Sequence, residues 1–238
     1  MPQQRIPKII HQIWSGIDEP LPDFFRELGE TWKEFHPEWK YELWNHERME
    51  QFIKEFYPEK WDMYNRFPHN IQRWDAIRYL ILDKIGGMYV DFDYEALKSL
   101  QPLLKDKSCC FALEPESHCK NFNMPLMFNN ALMACVPEHP FMRKIIDNVF
   151  TLENILTREP DRTKYILKTT GPWILIKLYE NSGNEEQKDI YLIPCKYVTP
   201  FDNSQAVSLR SGLYNEELER TLDDAYAVHY FFGGWVTD

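Results

Sequence analysis

The residues with the most recognisable chemistry are the two carboxylates of Asp91-Phe-Asp93. Side chains two positions apart point to the same face of an extended strand, and two negative charges that close repel each other unless a cation lies between them. Carboxylate oxygens of this kind bind hard divalent cations such as Mn²⁺ or Mg²⁺. The pair therefore predicts a metal site, although two acidic residues in a solvated turn would give the same pattern.

A second pair, Asp75 and Arg78, lies shortly before this segment. Residues three apart share one face of a helix, so the two side chains can form an exposed ion pair that contributes little to stability. Alternatively, the pair faces the cleft at the carboxyl ends of the strands, where open α/β sheets bind their ligands. There the guanidinium would bind a phosphate, and the carboxylate would accept hydrogen bonds from sugar hydroxyls. The residues alone leave both interpretations open.

The elements that must position these residues alternate between strand and helix. Ile6–Trp14 is rich in β-branched residues and predicts a buried strand, and Asn70 can cap a helix that ends at Gly86-Gly87. Met88–Asp93 then has the period of a strand. The other predicted strands are 41–44, 108–113, 127–134, 190–193 and 225–229, the other predicted helices 22–35, 47–56, 140–156 and 172–179, and the polar loops 158–163 and 181–188.

This alternation predicts an α/β fold with a mostly parallel central sheet, helices on both faces and a smaller carboxyl-terminal portion. A single domain over residues 1–238 is expected from the chain length.

The composition limits the ligands that the chain can bind. Its 37 acidic and 27 basic residues give a net charge of −10, so nucleic acid is a poor partner, and a phosphorylated ligand would need a bound cation. The five cysteines have no paired CxxC spacing, so neither a disulfide framework nor a zinc site is indicated, and a reduced, cytoplasmic protein is expected. No apolar run approaches the roughly 20 residues of a membrane span.

Five segments together resemble the DXD-type sugar transferases of glycosyltransferase family 32. They are Ile6–Trp14, His36–Trp44, Asp75–Arg78, Ile85–Asp93 and His229–Trp235. These segments extend over nearly the whole chain, and the block from Asp75 to Asp93 is the most specific. The family includes yeast initiation-type mannosyltransferases and bacterial capsule and lipopolysaccharide enzymes, and the glucosylating domains of clostridial toxins are distant relatives.

The resemblance implies a role for each residue of the site. Asp75, Arg78, Asp91 and Asp93 would form the catalytic centre, in which Asp75 and Arg78 hold the donor sugar and its diphosphate. Asp93 would bind the metal directly, whereas Asp91 would reach the metal or the ribose through water. Trp14 would stack on the nucleotide base.

The same resemblance assigns functions to the carboxyl terminus. His229 would be a further metal ligand, and Trp235 would close over the diphosphate from a mobile loop with Gly233-Gly234 as its hinge. The family often has serine before this Trp, whereas Gly234 stands here, so a hydroxyl that could contact the metal or the phosphate is missing.

Fold and activity follow from the resemblance as well. It implies a GT-A-like fold and metal-dependent transfer of a hexosyl group, with retention, from a UDP- or GDP-sugar to a hydroxyl acceptor. Mn²⁺ or Mg²⁺ would be the cofactor. The acceptor would be a saccharide or a lipid-linked saccharide in polysaccharide, capsule or glycolipid synthesis. With such an acceptor, peripheral association with the inner face of the membrane is also expected.

Two other classes of protein remain open from the residues alone. A metal-dependent nucleotide-sugar hydrolase or phosphodiesterase would use the same two aspartates. A non-catalytic carbohydrate-binding module would account for the eight Trp residues. Glu114 and Asn129-Asn130 stand at predicted strand ends, where they could contact the donor sugar or the acceptor, or face solvent. His11 lies in an apolar run and is interpreted as a hydrogen-bonded core residue.

Overall fold

A six-stranded sheet forms the centre of the protein. The computed structural model describes residues 5–213 and 216–233, except for the side chain of Glu217. In pairing order, the strands are β2 (Lys40–Trp44), β1 (Ile9–Ile13), β3 (Gly87–Val90), β6 (Phe128–Cys135), β5 (Cys109–Leu113) and β7 (Ile190–Ile193). A second, antiparallel sheet pairs β4 (Tyr94–Ala96) with β8 (Ala227–His229).

Helices connect most of these strands. They are α1 (Asp23–Phe35), α2 (His46–Phe56), α3 (Trp61–Arg66), α4 (Asn70–Lys84), α5 (Gln101–Leu104), α6 (Glu116–Phe122), α7 (Pro140–Val149), α8 (Leu152–Ile155), α9 (Arg162–Thr169), α10 (Pro172–Glu180), α11 (Asn184–Lys188), α12 (Cys195–Val198), α13 (Asn203–Arg210) and α14 (Glu216–Thr221). A 3₁₀ turn, Pro58–Lys60, precedes α3. Among the described residues, no helix combines the length and the apolar character that crossing a bilayer requires.

The predicted mostly parallel sheet is confirmed. β1 pairs in parallel with both β2 and β3, and β5 pairs in parallel with β7. Only β6, among the six strands of this sheet as described, runs against its neighbours, β3 and β5. The amino-terminal end of β6 therefore lies at the edge where its neighbours end.

Helices cover both faces of the sheet, as predicted. The buried residues of α2, α4, α7 and α10 form the hydrophobic core on one face. On the other face, buried side chains of α1, α5 and α12 pack with β4 and β8. Buried residues of α13, α14 and β8 form a third, smaller cluster in the carboxyl-terminal portion. Alternate residues of the strands contribute to the two main cores because side chains along a strand point to opposite faces.

α4 and the turn after it bring the Asp75 and Asp91 segments together. Ten of the fifteen residues of this helix are buried, so its polar side chains at positions 75 and 78 are buried with the apolar stripe. Gly87 starts β3 with φ at +102°, and a Cβ atom there would lie 2.6 Å from the carbonyl oxygen of Ile9. Glycine therefore lets β3 pair closely with β1.

The segment after β3 differs from the sequence prediction. The strand predicted over Met88–Asp93 ends at Val90, and the amide of Tyr94 donates a hydrogen bond of 3.2 Å to the carbonyl oxygen of Asp91. Asp91 and Asp93 therefore stand in a turn, not along one face of an extended strand. Asn70, the predicted cap of α4, is instead its first residue, and the Gln72 side chain accepts from the amide of His69.

Three helical segments also differ from the sequence prediction. The helix predicted over 140–156 is divided, because α7 ends at Val149 and Thr151 caps the short α8 through the amide of Asn154. The predicted polar loops contain the beginning of α9, capped by Asp161, and the whole of α11. Polar residues that cap helices and cover their exposed faces have the same composition as loop residues.

The interpretation of His11 as a core residue is confirmed. Its side chain is fully buried, Nε2 donates to the carbonyl oxygen of Gly86 at 2.9 Å, and Nδ1 accepts from the indole of Trp44 at 3.1 Å. Burial lowers the pKa of His11 to about 4. The neutral imidazole thus links β1, β2 and the turn before β3.

Candidate active site

The carboxyl ends of β1, β3 and β5 meet at one edge of the central sheet. Trp14 follows β1, Asp91 follows β3 and Glu114 follows β5. Asn129 and Asn130 lie in the first residues of the antiparallel β6, at the same edge. The turn at Asp91 is fixed to β6, because its amide donates a hydrogen bond of 2.8 Å to the carbonyl oxygen of Ala131.

The partly buried carboxylate of Asp93 pairs with the buried imidazole of His229. The pairing of β4 with β8 places Tyr94 opposite His229, and the two rings stack with centroids 4.2 Å apart. His229 Nε2 lies 3.2 Å from Asp93 Oδ1, while Asp93 Oδ2 accepts from the amide of Phe232 at 3.0 Å. Burial opposes the charge of both groups, but their mutual attraction lowers the pKa of Asp93 and raises that of His229.

The arrangement of Asp93 and His229 fits a divalent cation. Two ligands of one ion, each roughly 2.1 Å from it and at right angles, lie about 3 Å apart. The 3.2 Å between Oδ1 and Nε2 agrees with that separation. Among the described residues, the other imidazole nitrogen, Nδ1, has no hydrogen-bond partner, and the ring is held by stacking and by Asp93. The carboxylate oxygen of Asp93 suits Mn²⁺ and Mg²⁺.

Asp91 has different partners from Asp93. Its Oδ1 accepts a short hydrogen bond from the hydroxyl of Tyr89 and lies 3.3 Å from Nη1 of Arg78. Burial raises the pKa of Asp91, the guanidinium opposes this, and the neighbouring Asp93 adds to the increase. The structure thus brings Asp93 and His229 together as predicted metal ligands, but directs the carboxylate of Asp91 to Arg78 and Tyr89.

Asp75 and Arg78 are buried, which excludes the exposed ion pair. Each residue is only 4% exposed, and Arg78 Nη2 lies 3.2 Å from Asp75 Oδ1. Asn130 connects the pair to β6, since its side chain donates to Asp75 Oδ1 at 2.9 Å and its carbonyl oxygen accepts from Arg78 Nη1 at 2.9 Å. Thr170 donates to Asp75 Oδ2. Burial raises the pKa of Asp75, against the effect of the guanidinium.

Glu114 belongs to a network on the face of the sheet opposite to Asp75, where Asn129 also donates to the hydroxyl of Tyr94. Its two carboxylate oxygens accept hydrogen bonds of 2.6 Å from Asn129 Nδ2 and His118 Nδ1. His118 Nε2 in turn accepts from the amide of Asn203 at the start of α13. The side chain of Glu114 is 7% exposed, so the interpretation as a solvated strand end does not hold. The network connects the end of β5 to the carboxyl-terminal portion.

Trp14 lies at the edge of the site within a group of aromatic rings. Its ring centroid is 5.7 Å from that of Phe25 and 6.0 Å from that of Phe92, and its indole donates to the carbonyl oxygen of Glu19. Phe232 packs on Phe25 at 5.1 Å, so the chain after β8 contacts α1. The half-buried indole remains available at the end of β1.

A cavity of about 320 Å³ opens beside the first turns of α4. Its lining residues come from the loop after β1, from the beginning of α4 and from α9; they are Asp18, Pro68, His69, Asn70, Ile71, Trp74 and Arg162. The carbonyl oxygen of Trp74 accepts a hydrogen bond of 3.2 Å from Arg78 Nε. Trp74 thus lines the cavity and also contacts the buried Arg78. Burial and the nearby Arg162 and Arg73 lower the pKa of His69, which indicates a locally positive environment.

Several residues of the site were not singled out by their sequence pattern. Tyr89, Thr170 and Tyr79 all contact the buried ion pair or Asp91 through their hydroxyl groups or through Asn130. Tyr89 stands two residues before Asp91, so the alternation of a strand would have placed both side chains on the same face. Nothing in the sequence pattern connects Thr170 to Asp75. Trp235 and Gly234, which the resemblance assigned to a closing loop, lie outside the described residues.

Solved structures share the fold of this chain. The PaToxG glycosyltransferase superposes with a TM-score of 0.56 at 17% identity, covering 93% of this chain and 89% of that one. The UDP-bound glycosyltransferase domain from the YGT toxin gives a TM-score of 0.57 at 10% identity, with coverage of 93% and 89%. At these identities the likeness concerns the fold, which is that of the GT-A glycosyltransferases.

Part of the sequence also matches a known protein family. Residues 22–109, which include Asp75, Arg78, Asp91 and Asp93, match the family described as "Glycosyltransferase sugar-binding region containing DXD motif". Over these residues the match agrees with the resemblance to the DXD-type sugar transferases of family 32.

Characterised and uncharacterised relatives agree with this family. A mannosyl phosphorylinositol ceramide synthase of Saccharomyces cerevisiae is 38% identical over 61% of this chain and 35% of its own length. Inositol phosphoceramide mannosyltransferase 1 of Schizosaccharomyces pombe is 33% identical over 61% and 43%. An uncharacterized glycosyltransferase of Acanthamoeba polyphaga mimivirus is 28% identical over 97% and 84%. The chain thus spans less than half the length of the two fungal relatives.

Proposed function

We propose that the protein is a metal-dependent, retaining glycosyltransferase that moves a hexosyl group from a UDP- or GDP-sugar to a hydroxyl acceptor. The observation that carries the proposal is the pair of ligand atoms, Asp93 Oδ1 and His229 Nε2, 3.2 Å apart at the edge of the sheet. A nucleotide diphosphate is strongly anionic and the chain is acidic, so a cation at this position is what the ligand requires.

The names of the relatives support a narrower proposal for the substrates. The two fungal proteins are named for mannosyl transfer to inositol phosphoceramide, and one structural neighbour binds UDP. A mannosyl donor and a lipid-linked acceptor in glycolipid synthesis are therefore the first combination to test. A lipid-linked acceptor would also bring the enzyme to a membrane surface, with the cytoplasmic face as the proposed location.

Each group at the edge of the sheet has a role in this proposal. A cation held by Asp93 and His229 would supply Lewis-acid stabilisation of the leaving diphosphate. The guanidinium of Arg78, fixed by Asp75 and Asn130, adds positive charge that is already oriented before the substrate binds. The half-buried indole of Trp14 at the end of β1 is assigned to the nucleotide base. In the transfer step, the acceptor oxygen bonds to the anomeric carbon as the bond to the diphosphate breaks, and the acceptor proton passes to the leaving diphosphate.

Product formation with and without acceptor tests the proposal. The purified protein is incubated with Mn²⁺ and labelled GDP-mannose, UDP-glucose or UDP-galactose, and free sugar and glycosylated acceptor are measured separately. We expect one donor to be consumed at a rate that rises strongly when an acceptor such as an inositol phosphoceramide is present. Free sugar produced at the same rate with every acceptor would favour the hydrolase, and no consumption of any donor would favour the carbohydrate-binding module.

Trp14→Ala is expected to raise the dissociation constant of the donor nucleotide roughly ten- to a hundredfold. Stacking of a base on an aromatic ring contributes about 1–3 kcal/mol, and Trp14→Phe should retain most of it. Binding of the nucleotide with Mn²⁺ is measured by calorimetry. The matched control is Trp61→Ala, because Trp61 is a half-buried indole on α3 that packs against Tyr64 and Lys54. Unchanged binding by a folded Trp14→Ala variant would place the base elsewhere.

A further inference from the structure

Three side chains with affinity for soft metals converge at the opposite edge of the sheet. Cys109 begins β5 and Cys135 ends β6, and the antiparallel pairing sets these two residues directly opposite each other. His139, the residue before α7, completes the group. Their ligand atoms, two sulfurs and an imidazole nitrogen, all lie within 4.8 Å of one another. Among the described residues, no other group of three such side chains lies so close together.

The group is built as a site and not merely as packed core. Cys109 and Cys135 are fully buried and His139 is 4% exposed. His139 Nε2 donates to Asp189 Oδ2 at 2.9 Å, and Ser108 Oγ donates to Asp189 Oδ1 at 2.7 Å. A carboxylate bonded to the outer nitrogen of an imidazole is the usual way in which proteins orient a metal-binding histidine.

Asp189 holds Nε2 of His139, so a metal would bind the second imidazole nitrogen, Nδ1. Nδ1 of His139 accepts a hydrogen bond of 3.2 Å from the amide of Phe141, which is long for such a bond. Replacing this contact by coordination would cost one helix-capping hydrogen bond of α7. Asp189 would continue to hold the ring through Nε2.

We propose that Cys109, Cys135 and His139 bind one soft divalent cation, with zinc as the ion of choice. Two thiolates and a neutral imidazole give a charge of −2, which a divalent ion cancels, so the complex can be buried without net charge. Thiolate ligands select zinc over the hard ions that suit carboxylates. The bound ion would cross-link β5, β6 and the beginning of α7.

Burial explains why the thiols need a cation to ionise. It raises the pKa of Cys109 well above its usual value, an effect that the neighbouring Cys135 strengthens. A thiolate at this position is therefore unstable without a metal. Because the ligands are buried, zinc would enter as the chain folds and would contribute to folding.

The proposed zinc site is separate from the Asp93 and His229 pair. Cys109 stands at the beginning of β5 and Glu114 follows its end, and five residues of strand span roughly 16 Å. Cys135 likewise stands at the far end of β6 from Asn129. Zinc at this position would stabilise the sheet and would not contact the donor sugar.

The metal content of the full-length protein tests the proposal. The wild type and Asp93→Asn are expressed with zinc in the medium, and zinc is measured by mass spectrometry of the purified proteins. We expect about one tightly held zinc per chain in both, and at least a tenfold loss in Cys109→Ser and Cys135→Ser. Cys110→Ser is the matched control, because Cys110 is equally buried on the same strand but belongs to the core of the opposite face.

A second measurement does not depend on folding of the variants. Cobalt is added in place of zinc to the wild type during refolding, and a sulfur-to-cobalt charge-transfer band is expected in the ultraviolet spectrum. Absence of this band, zinc below about a tenth of an equivalent per chain, or an equal loss of zinc in Cys110→Ser would overturn the proposal. A disulfide between Cys109 and Cys135 in the purified protein would overturn it as well. None of these results bears on sugar transfer, which is tested with Asp93.

Discussion

Asp93→Asn is expected to lower the rate of sugar transfer by at least about a hundredfold while the protein remains folded. The substitution keeps the size of the side chain and its acceptor for the amide of Phe232, but removes the negative charge opposite His229. Without that charge the divalent cation loses its anionic ligand, and stabilisation of the leaving diphosphate is lost with it. The measurement is the initial rate at increasing Mn²⁺, with circular dichroism to confirm the fold.

The control for this prediction is Asp62→Asn, on the exposed surface of α3. It removes the same charge from the protein and should leave the rate unchanged, so a loss specific to Asp93 cannot come from net charge. A rate close to that of the wild type in Asp93→Asn, together with activity that persists in a chelator, would remove the metal from the mechanism.

Arg78→Ala is expected to lower the free energy of unfolding by about 3–5 kcal/mol, because it leaves the buried carboxylate of Asp75 without its counter-charge. Arg78 lies within 3.3 Å of both Asp75 and Asp91. Loss of the guanidinium also removes the hydrogen bond to the carbonyl oxygen of Asn130. Urea unfolding of the variant and the wild type measures the difference.

The matched control is Arg26→Ala. Arg26 and Asp23 form an ion pair with the same helical spacing, at 2.9 Å, but their side chains are 58% and 86% exposed. Removing an exposed pair should cost less than about 1 kcal/mol. Equal losses for the two variants would contradict the contribution assigned to burial. Arg78→Lys separates charge from geometry, since it keeps the charge but not the two-nitrogen contact, and should restore part of the stability and little of the activity.

The sequence was sufficient to predict the fold class and the edge of the sheet at which the candidate site residues meet. A helical stripe ended by Gly86-Gly87 and followed by a strand requires no distant contact to be recognised, and it positions Asp91 at a strand end. The conformation of the next two residues was not predictable in the same way. Whether a strand continues or turns at Asp91 depends on the pairing of its amide with Ala131.

Burial of the ion pair also depended on distant residues. A spacing of three along a helix is the same for an exposed and a buried pair. Asp75 is buried because Asn130 and Thr170, 55 and 95 residues away in the sequence, complete its hydrogen bonds. The convergence of Cys109 and Cys135 has a similar origin, since the register of two antiparallel strands, and not a short motif, brings them together. The role of Trp235 stays a prediction.

The alternation of side chains along β6 restricts where this protein can accept insertions and deletions. Asn129 and Asn130 are consecutive, so they point to opposite faces, one to Glu114 and Tyr94 and the other to Asp75 and Tyr79. A single residue added to or removed from this strand would exchange the two faces and disrupt both networks at once. Length variation among homologues should therefore be absent from residues 128–135 and frequent in exposed connections such as residues 105–107.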